Sequence, residues 1–199
     1  MVSGFRMTRL AMAALVLAAC SKKENNGTDA TGATSTASTD TLAMAGSAAA
    51  GTWTDANIFA LLDEANAADS AAGAIAVTKG TASAVRDYGR RMVRDHHQLR
   101  VRGEALAKKL KIIPAAPVDD PVAPAAQKHM DNINSTAKGK DFDKAYIDGE
   151  VEIHKSVLEL ATAAARQTQN TELKYLIQKA VPVIRDHLDL AESVQNSLK

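Results

Sequence analysis

The sequence predicts an all-α protein, an antiparallel four-helix bundle with one short extra helix in its crossing loop. Three observations predict it. Apolar residues recur in steps of three and four through four long windows, the period of a helix that buries one face. Aromatic residues are scarce, 4% against a hydrophobic share of 46%; that share is rich in alanine, which suits close-packed helices better than a β-sandwich. Finally, Met92-Val93-Arg94-Asp95-His96-His97-Gln98-Leu99 is echoed by Val183-Ile184-Arg185-Asp186-His187-Leu188-Asp189-Leu190. The echo reads as a duplicated helical hairpin with a histidine near the middle of each second helix.

Residues 1–19 read as an export signal. Arg6 and Arg9 make a positive start, and Leu10 to Ala19 form an apolar run, too short for the roughly 20 residues that span a bilayer. Met7 would serve as a start as well as Met1. The run ends in Leu17-Ala18-Ala19-Cys20, which resembles the lipobox at which bacterial lipoproteins are cut and their cysteine lipidated. Cys20 is the sole cysteine, so a disulfide within one chain is excluded. Ser21 after it, rather than Asp, implies by the same resemblance an outer-membrane protein facing the periplasm. Residues 20–52, rich in Ser, Thr, Gly, Ala, Asn and Asp, are expected to form a flexible tether with a reach of about 30 Å. The partner implied is the membrane, through a lipid on Cys20; no protein partner is indicated. Without the signal, 22 basic residues face 23 acidic ones, and no basic block points to nucleic acid.

Residues 53–199 form the expected bundle. Thr54 caps a first helix to about Thr78, with Ile58, Leu62, Ala65, Ala72 and Ala76 on its seam, Asp69 interrupting it, and Gly80 closing it as a left-handed cap. Thr81 opens a second helix to about Lys111, with seam Val85, Gly89, Met92, His96, Leu99, Gly103, Leu106 and Leu110. His96 takes a core slot, His97 faces water, and the helix stops before Pro114. Residues 114–124 cross over. A short helix at 125–133 carries His129, expected to face solvent between Lys128 and Asp131. Asp141 caps the third long helix, to about Thr168, where Phe142, Tyr146, Ile153, Val157, Leu160, Ala161 and Ala164 form the stripe. Glu150 and His154, four apart, share one of its faces. Asn170-Thr171 starts the fourth, with seam Leu173, Leu176, Ala180, Val183, His187, Leu190 and Val194, and a bend expected at Pro182.

Each long helix thus carries an ionisable residue on its seam near its midpoint. In an up-down-up-down bundle, Asp69, His96, Glu150, His154 and His187 should meet in one polar layer. Such groups are costly to bury unless paired or metal-bound. The plainer expectation is a hydrogen-bonded network that fixes register, with no cofactor and no catalytic residue. The alternative is one transition-metal ion held by these five residues, since imidazole and carboxylate are its usual ligands. The standard di-iron pattern is not met, because the residues three before His96, His154 and His187 are Val93, Val151 and Ile184 rather than Glu. Arg94, Asp95, Arg185 and Asp186 are expected as ion pairs flanking the seam; alternatively Asp95 or Asp186 orients an imidazole from behind. There is no nucleophile–base arrangement, phosphate loop or nucleotide fingerprint. The function expected is therefore a non-enzymatic binding or structural module, with a metal-binding or redox-stress role as the alternative.

Four separated motifs resemble the signature of domain of unknown function 4142. They are Arg91-Met92-Val93-x-Asp95-His96, Phe142-Asp143-x-Ala145-Tyr146, Val151-x-x-His154 and Pro182-x-x-Arg185-Asp186-His187-Leu188. The resemblance covers roughly Ile58 to Ala191. It implies a bacterial envelope protein with a ferritin-like helical bundle, and it implies no activity. Where members of that family usually carry Glu in the first helix, this chain has Asp69.

Overall fold

The structure, a computed structural model, describes residues 52–199. The expected export signal, the lipidated Cys20 and nearly all of the tether lie outside the described residues. Those residues form five helices and no strand: α1 (Asp55–Lys79), α2 (Ser83–Leu110), α3 (Val122–Ser135), α4 (Lys140–Gln167) and α5 (Thr171–Ser197). No described helix is long and apolar enough to cross a membrane.

Helix starts follow the local chemistry, with some departures from expectation. Thr54 and Asn57 form a reciprocal capping box on α1, and the Asn170 side chain accepts from the amides of Glu172 and Leu173 on α5. For α2 the cap comes from another helix. Asp143 of α4, buried, accepts from the amides of Thr81 and Ala82 at 2.8 Å each. Asp141 is not the cap of α4; Gly139 is, at φ 153°, and Asp141 sits in the first turn, where its charge suits the helix dipole. Gly80 is extended rather than left-handed, at φ −61° and ψ 138°. Glycine is needed there for space, because a Cβ would lie 2.6 Å from the Ala76 carbonyl oxygen. The short helix α3 begins three residues earlier than expected, since the Asp120 carboxylate accepts from the Val122 and Ala123 amides. Pro124 then falls in the first turn, where a missing amide costs nothing.

Contacts run from α1 to α2, α2 to α5, α5 to α4 and α4 to α1, closing a ring of four long helices. The Trp53 amide bonds to Gln167, and Thr168 bonds to Asp55, so α1 begins where α4 ends. Lys109 pairs with Glu172, so α2 ends where α5 begins. Ring neighbours are therefore antiparallel throughout, and α4 runs in the direction of α2. The order is up-down-down-up, not the up-down-up-down expected. The reason is the long crossing, in which α3 returns the chain along α1 and α4. Asn57 Nδ2 donates to the Ala115 carbonyl at one end of that path, and Lys79 Nζ to the Ile133 carbonyl at the other.

Helices α1 and α2 touch backbone to backbone. A Cβ on Gly73 would lie 2.8 Å from the Gly89 carbonyl oxygen, and one on Gly89 2.7 Å from that of Gly73. On α5 the buried face is Leu173, Ile177, Ile184, His187, Ala191 and Val194. It shares Leu173, His187 and Val194 with the expected seam but replaces Leu176, Ala180, Val183 and Leu190. The apolar core falls into two clusters. One gathers Ile58, Leu61, Leu160 and Leu173; the other gathers Met92, Phe142, Tyr146 and Ile147. Between them lies a polar layer.

Candidate metal centre

Asp69, His96, Glu150, His154 and His187 converge in that layer, each no more than 1% exposed. Every one sits on the buried face of its helix, one turn or more from either helix end, so four helices deliver them to one level. The ring centroids of His96 and His187 are 5.0 Å apart, those of His154 and His187 5.5 Å, and those of His96 and His154 5.6 Å. His96 Nε2 lies 3.6 Å from Asp69 Oδ2, and His154 Nδ1 3.5 Å from Glu150 Oε2. One ligand atom from each of His96, His154 and His187 lies within 4.8 Å of the others, and the same holds for Asp69, Glu150 and His154.

The hydrogen bonds behind the three rings fix where their protons sit. His96 Nδ1 is 2.9 Å from Asn66 Oδ1, and Asn66 spends its amide donor on the Leu62 carbonyl, so oxygen faces the ring. His154 Nδ1 is 2.9 Å from the Glu150 carbonyl oxygen. His187 Nε2 is 3.0 Å from Asp95 Oδ2. All three partners are acceptors, so each of these nitrogens carries the proton of a neutral imidazole. The opposite nitrogens, His96 Nε2, His154 Nε2 and His187 Nδ1, are buried lone pairs with no hydrogen-bond partner. Three lone pairs cannot satisfy one another, and only the Asp69 carboxyl, 3.6 Å from His96 Nε2, stands near enough to offer a proton to one of them.

Electrostatics keeps the rings neutral. Burial, reinforced by the other two histidines, pushes His96 well below the usual imidazole range. Burial also lowers His154. It brings His187 to about 4, against the opposing effect of the hydrogen bond that His187 donates to Asp95. Partial burial acts to raise Asp95, but bonds from Arg94 and His187 prevail and leave it at about 2, so it stays an anion and an acceptor. Burial first and Glu150 second raise Asp69 well above the usual carboxylate range.

These features fit a cation. Convergent imidazole lone pairs, each ring held from behind by an acceptor, are how proteins orient metal-ligating histidines. A divalent ion would also offset the charge of two buried carboxylates and allow Asp69 to ionise. Ligand atoms around a tetrahedral ion at about 2.0–2.1 Å stand roughly 3.3 Å apart, so the rings need only a small closure. Three nitrogens and an oxygen suit Zn²⁺, Cu²⁺, Co²⁺ or Fe²⁺ rather than Ca²⁺ or Mg²⁺, which prefer all-oxygen shells.

Some residues fall elsewhere than expected. His129 is buried, not solvent-facing, with Nε2 3.5 Å from Glu150 Oε1. Its neighbours Lys128 and Asp131 misled; the pattern that places it is Val122, His129 and Ile133, the buried face of α3. Asp186 is exposed and orients no imidazole, whereas Asp95 both orients His187 and pairs with Arg91 and Arg94. His97 is exposed, as expected. Asn66 and Tyr88 were not expected in the layer. Asn66 stands three residues before Asp69 on α1, a spacing that puts both on one face, and the Tyr88 hydroxyl donates to Glu150 Oε2 at 3.5 Å.

The family model described as domain of unknown function (DUF4142) matches residues 39–194. The chain belongs to this family. The DUF4142 match contains every member of the polar layer, from Asn66 and Asp69 to His187. No curated protein and no solved structure matches the chain.

Proposed function

We propose that this DUF4142 protein is a lipid-anchored protein of the bacterial envelope whose ferritin-like four-helix bundle holds a first-row transition-metal ion. His96 Nε2, His154 Nε2 and His187 Nδ1 are the nitrogen ligands, with Asp69 the fourth. The single observation that carries the reading is the set of three buried imidazole nitrogens without a hydrogen-bond partner. A purely hydrogen-bonded layer, the plainer expectation, would need three donors for these lone pairs, and the protonated carboxyl of Asp69 beside His96 supplies one at most. The anchor rests on the lipobox-like Leu17-Ala18-Ala19-Cys20, and the envelope location follows from it. The activity is metal binding, with no bond made or broken by the protein.

One fractionation tests both parts. Tag-free protein extracted from membranes should carry at least one equivalent of transition metal per chain, and His96→Ala should lose it. Cys20→Ser should move the protein to the soluble fraction with its metal retained. Metal-free protein under every growth condition would contradict the site, and membrane retention of Cys20→Ser would contradict the anchor.

A further inference from the structure

Charge is divided unevenly among the helices. α2 carries eight basic residues and three acidic ones, whereas α1, α4 and α5 each carry an acidic excess. Burial of Val85, Met92 and His96 on α2 fixes the opposite face as the outward one. That face presents Arg90, Arg94, Val101 and Lys108, all exposed and spaced by four or seven, as residues on one side of a helix are. At 1.5 Å per residue this stripe runs for about 27 Å. Helix periodicity, rather than a run of like charge, gathers it.

The edge of α5 extends the stripe. Lys179 Nζ stands over the Tyr175 ring at 5.2 Å, and both share with Arg102 a hollow of about 520 Å³ between α2 and α5. Its half-buried members are Leu106 and Leu176. Among the described residues no carboxylate pairs with Arg102, Lys108 or Lys179. Two large apolar side chains stand in water among these cations, Val101 at 50% and Tyr175 at 61% exposure. The acids collect on the other side. α4 lies diagonally across the ring from α2. Asp119, Asp120, Glu152 and Glu159 line a groove of about 1410 Å³ along α1, α3 and α4. A flat anionic partner is therefore attracted to one side of the molecule and repelled from the other.

We infer that the outward face of α2 and the adjoining edge of α5 rest on the surface of an anionic lipid bilayer. The cations meet lipid phosphates, and Val101 and Tyr175 enter the headgroup layer, where an amphipathic ring and a small apolar side chain both gain by leaving water. Nucleic acid would use the same cations but gives Val101 no role. A second copy would have to offer its acidic groove, and such a head-to-tail contact does not close into a dimer. The inference needs neither the metal ion nor a lipid on Cys20.

Sedimentation with lipid vesicles tests the inference, on the full-length Cys20→Ser protein so that no acyl chain contributes. Pure phosphatidylcholine vesicles give the charge-independent background, including any from residues 1–19. Vesicles of phosphatidylglycerol and phosphatidylcholine in equal parts should bind the protein roughly tenfold more tightly at low salt. That gain should largely vanish near 1 M salt, where charges are screened beyond about 3 Å. Arg102→Glu with Lys108→Glu should remove most of the gain, and Tyr175→Ala should lower it a few-fold. Lys128→Glu with Lys140→Glu, an equal change of charge placed on α3 and α4, should keep it. Far-UV circular dichroism verifies that each variant is helical. Equal binding to both kinds of vesicle, or equal losses in the two charge-reversed pairs, would overturn the inference. Self-association at low salt in place of vesicle binding, abolished by Arg102→Glu with Lys108→Glu, would assign the face to a second copy and overturn it as well.

Discussion

Zinc at a thousand times its dissociation constant should stabilise the metal-free protein by about 4 kcal/mol, because the ion binds the native chain and has no assembled site in the unfolded one. For a domain of about 150 residues each kcal/mol moves the thermal midpoint by roughly 2–4 °C, so a rise of roughly 8–16 °C is expected. His96→Ala and His154→Ala should abolish most of that rise, since each removes one of three convergent nitrogens. Asn66→Leu should reduce it while leaving every ligand in place, because His96 then loses the acceptor that fixes its Nδ1 proton. His97→Ala, on the exposed face, should leave the rise unchanged. Differential scanning calorimetry with and without zinc reads all of these. A rise of the same size in His96→Ala would place the ion elsewhere.

Removing Asp69 should have opposite effects on stability and on binding. In the metal-free protein its carboxyl has no hydrogen-bond partner and its ionised form is disfavoured by burial and by Glu150. The sign follows from linkage. The native group is raised above its unfolded value, near 3.9, so native stability falls as pH rises from about 4 towards the raised native value. Asparagine does not titrate, so Asp69→Asn should gain on the wild type across that window, by about 1–3 kcal/mol at its upper end. The histidines work the other way, since their lowered values cost native stability as pH falls below about 6.5. They are common to both proteins and cancel in the comparison. Metal affinity should meanwhile fall at least tenfold in Asp69→Asn. Urea unfolding from pH 5 to 8, paired with zinc titration, checks both signs. A variant less stable than the wild type without metal would mean that Asp69 is already satisfied by the protein.

Why would a chain keep such a cost in its core? A buried carboxyl and three unmatched lone pairs weaken the metal-free fold, yet they stand between two apolar clusters, one rich in Leu and Ile and the other in Tyr, Phe and Met. The proposed ion would supply the compensation that packing alone does not. The polar layer also penalises helices that slip by a turn, because every seam residue would then meet the wrong partner.

Much of this was legible in the sequence because helical periodicity is a local signal. Ile58, Ala65, Asp69, Ala72 and Ala76 lie on one face of α1 by spacing alone, and the structure buries all five. His96, His154 and His187 were readable for the same reason: each interrupts an apolar seam. What spacing could not give was the choice between neighbouring seams. On α5 the two registers share Leu173, His187 and Val194, and apolar residues fill the positions where they differ. Only contact with α2 and α4 decides. Helix direction was equally hidden, because up-down-down-up depends on where the crossing loop travels. His129 was missed because its immediate neighbours are charged, although Val122 and Ile133 mark a buried face around it. The one local clue was Gly149, a glycine in the middle of α4, whose missing side chain is the space the imidazole fills. The hydrogen bonds that fix the three tautomers reach between α1 and α2, along α4, and between α2 and α5. No linear pattern announces them.

Anomalous diffraction from a crystal of the tag-free protein grown with zinc, collected on both sides of the zinc absorption edge, tests the central claim most directly. The convergence of lone pairs predicts a peak inside the helix ring, about 2.0–2.1 Å from His96 Nε2, His154 Nε2 and His187 Nδ1. It predicts Nδ1, not Nε2, at His187, because Nε2 is held by Asp95. A peak bound to the exposed His97, or no peak within the layer while the three rings keep these tautomers, would contradict it.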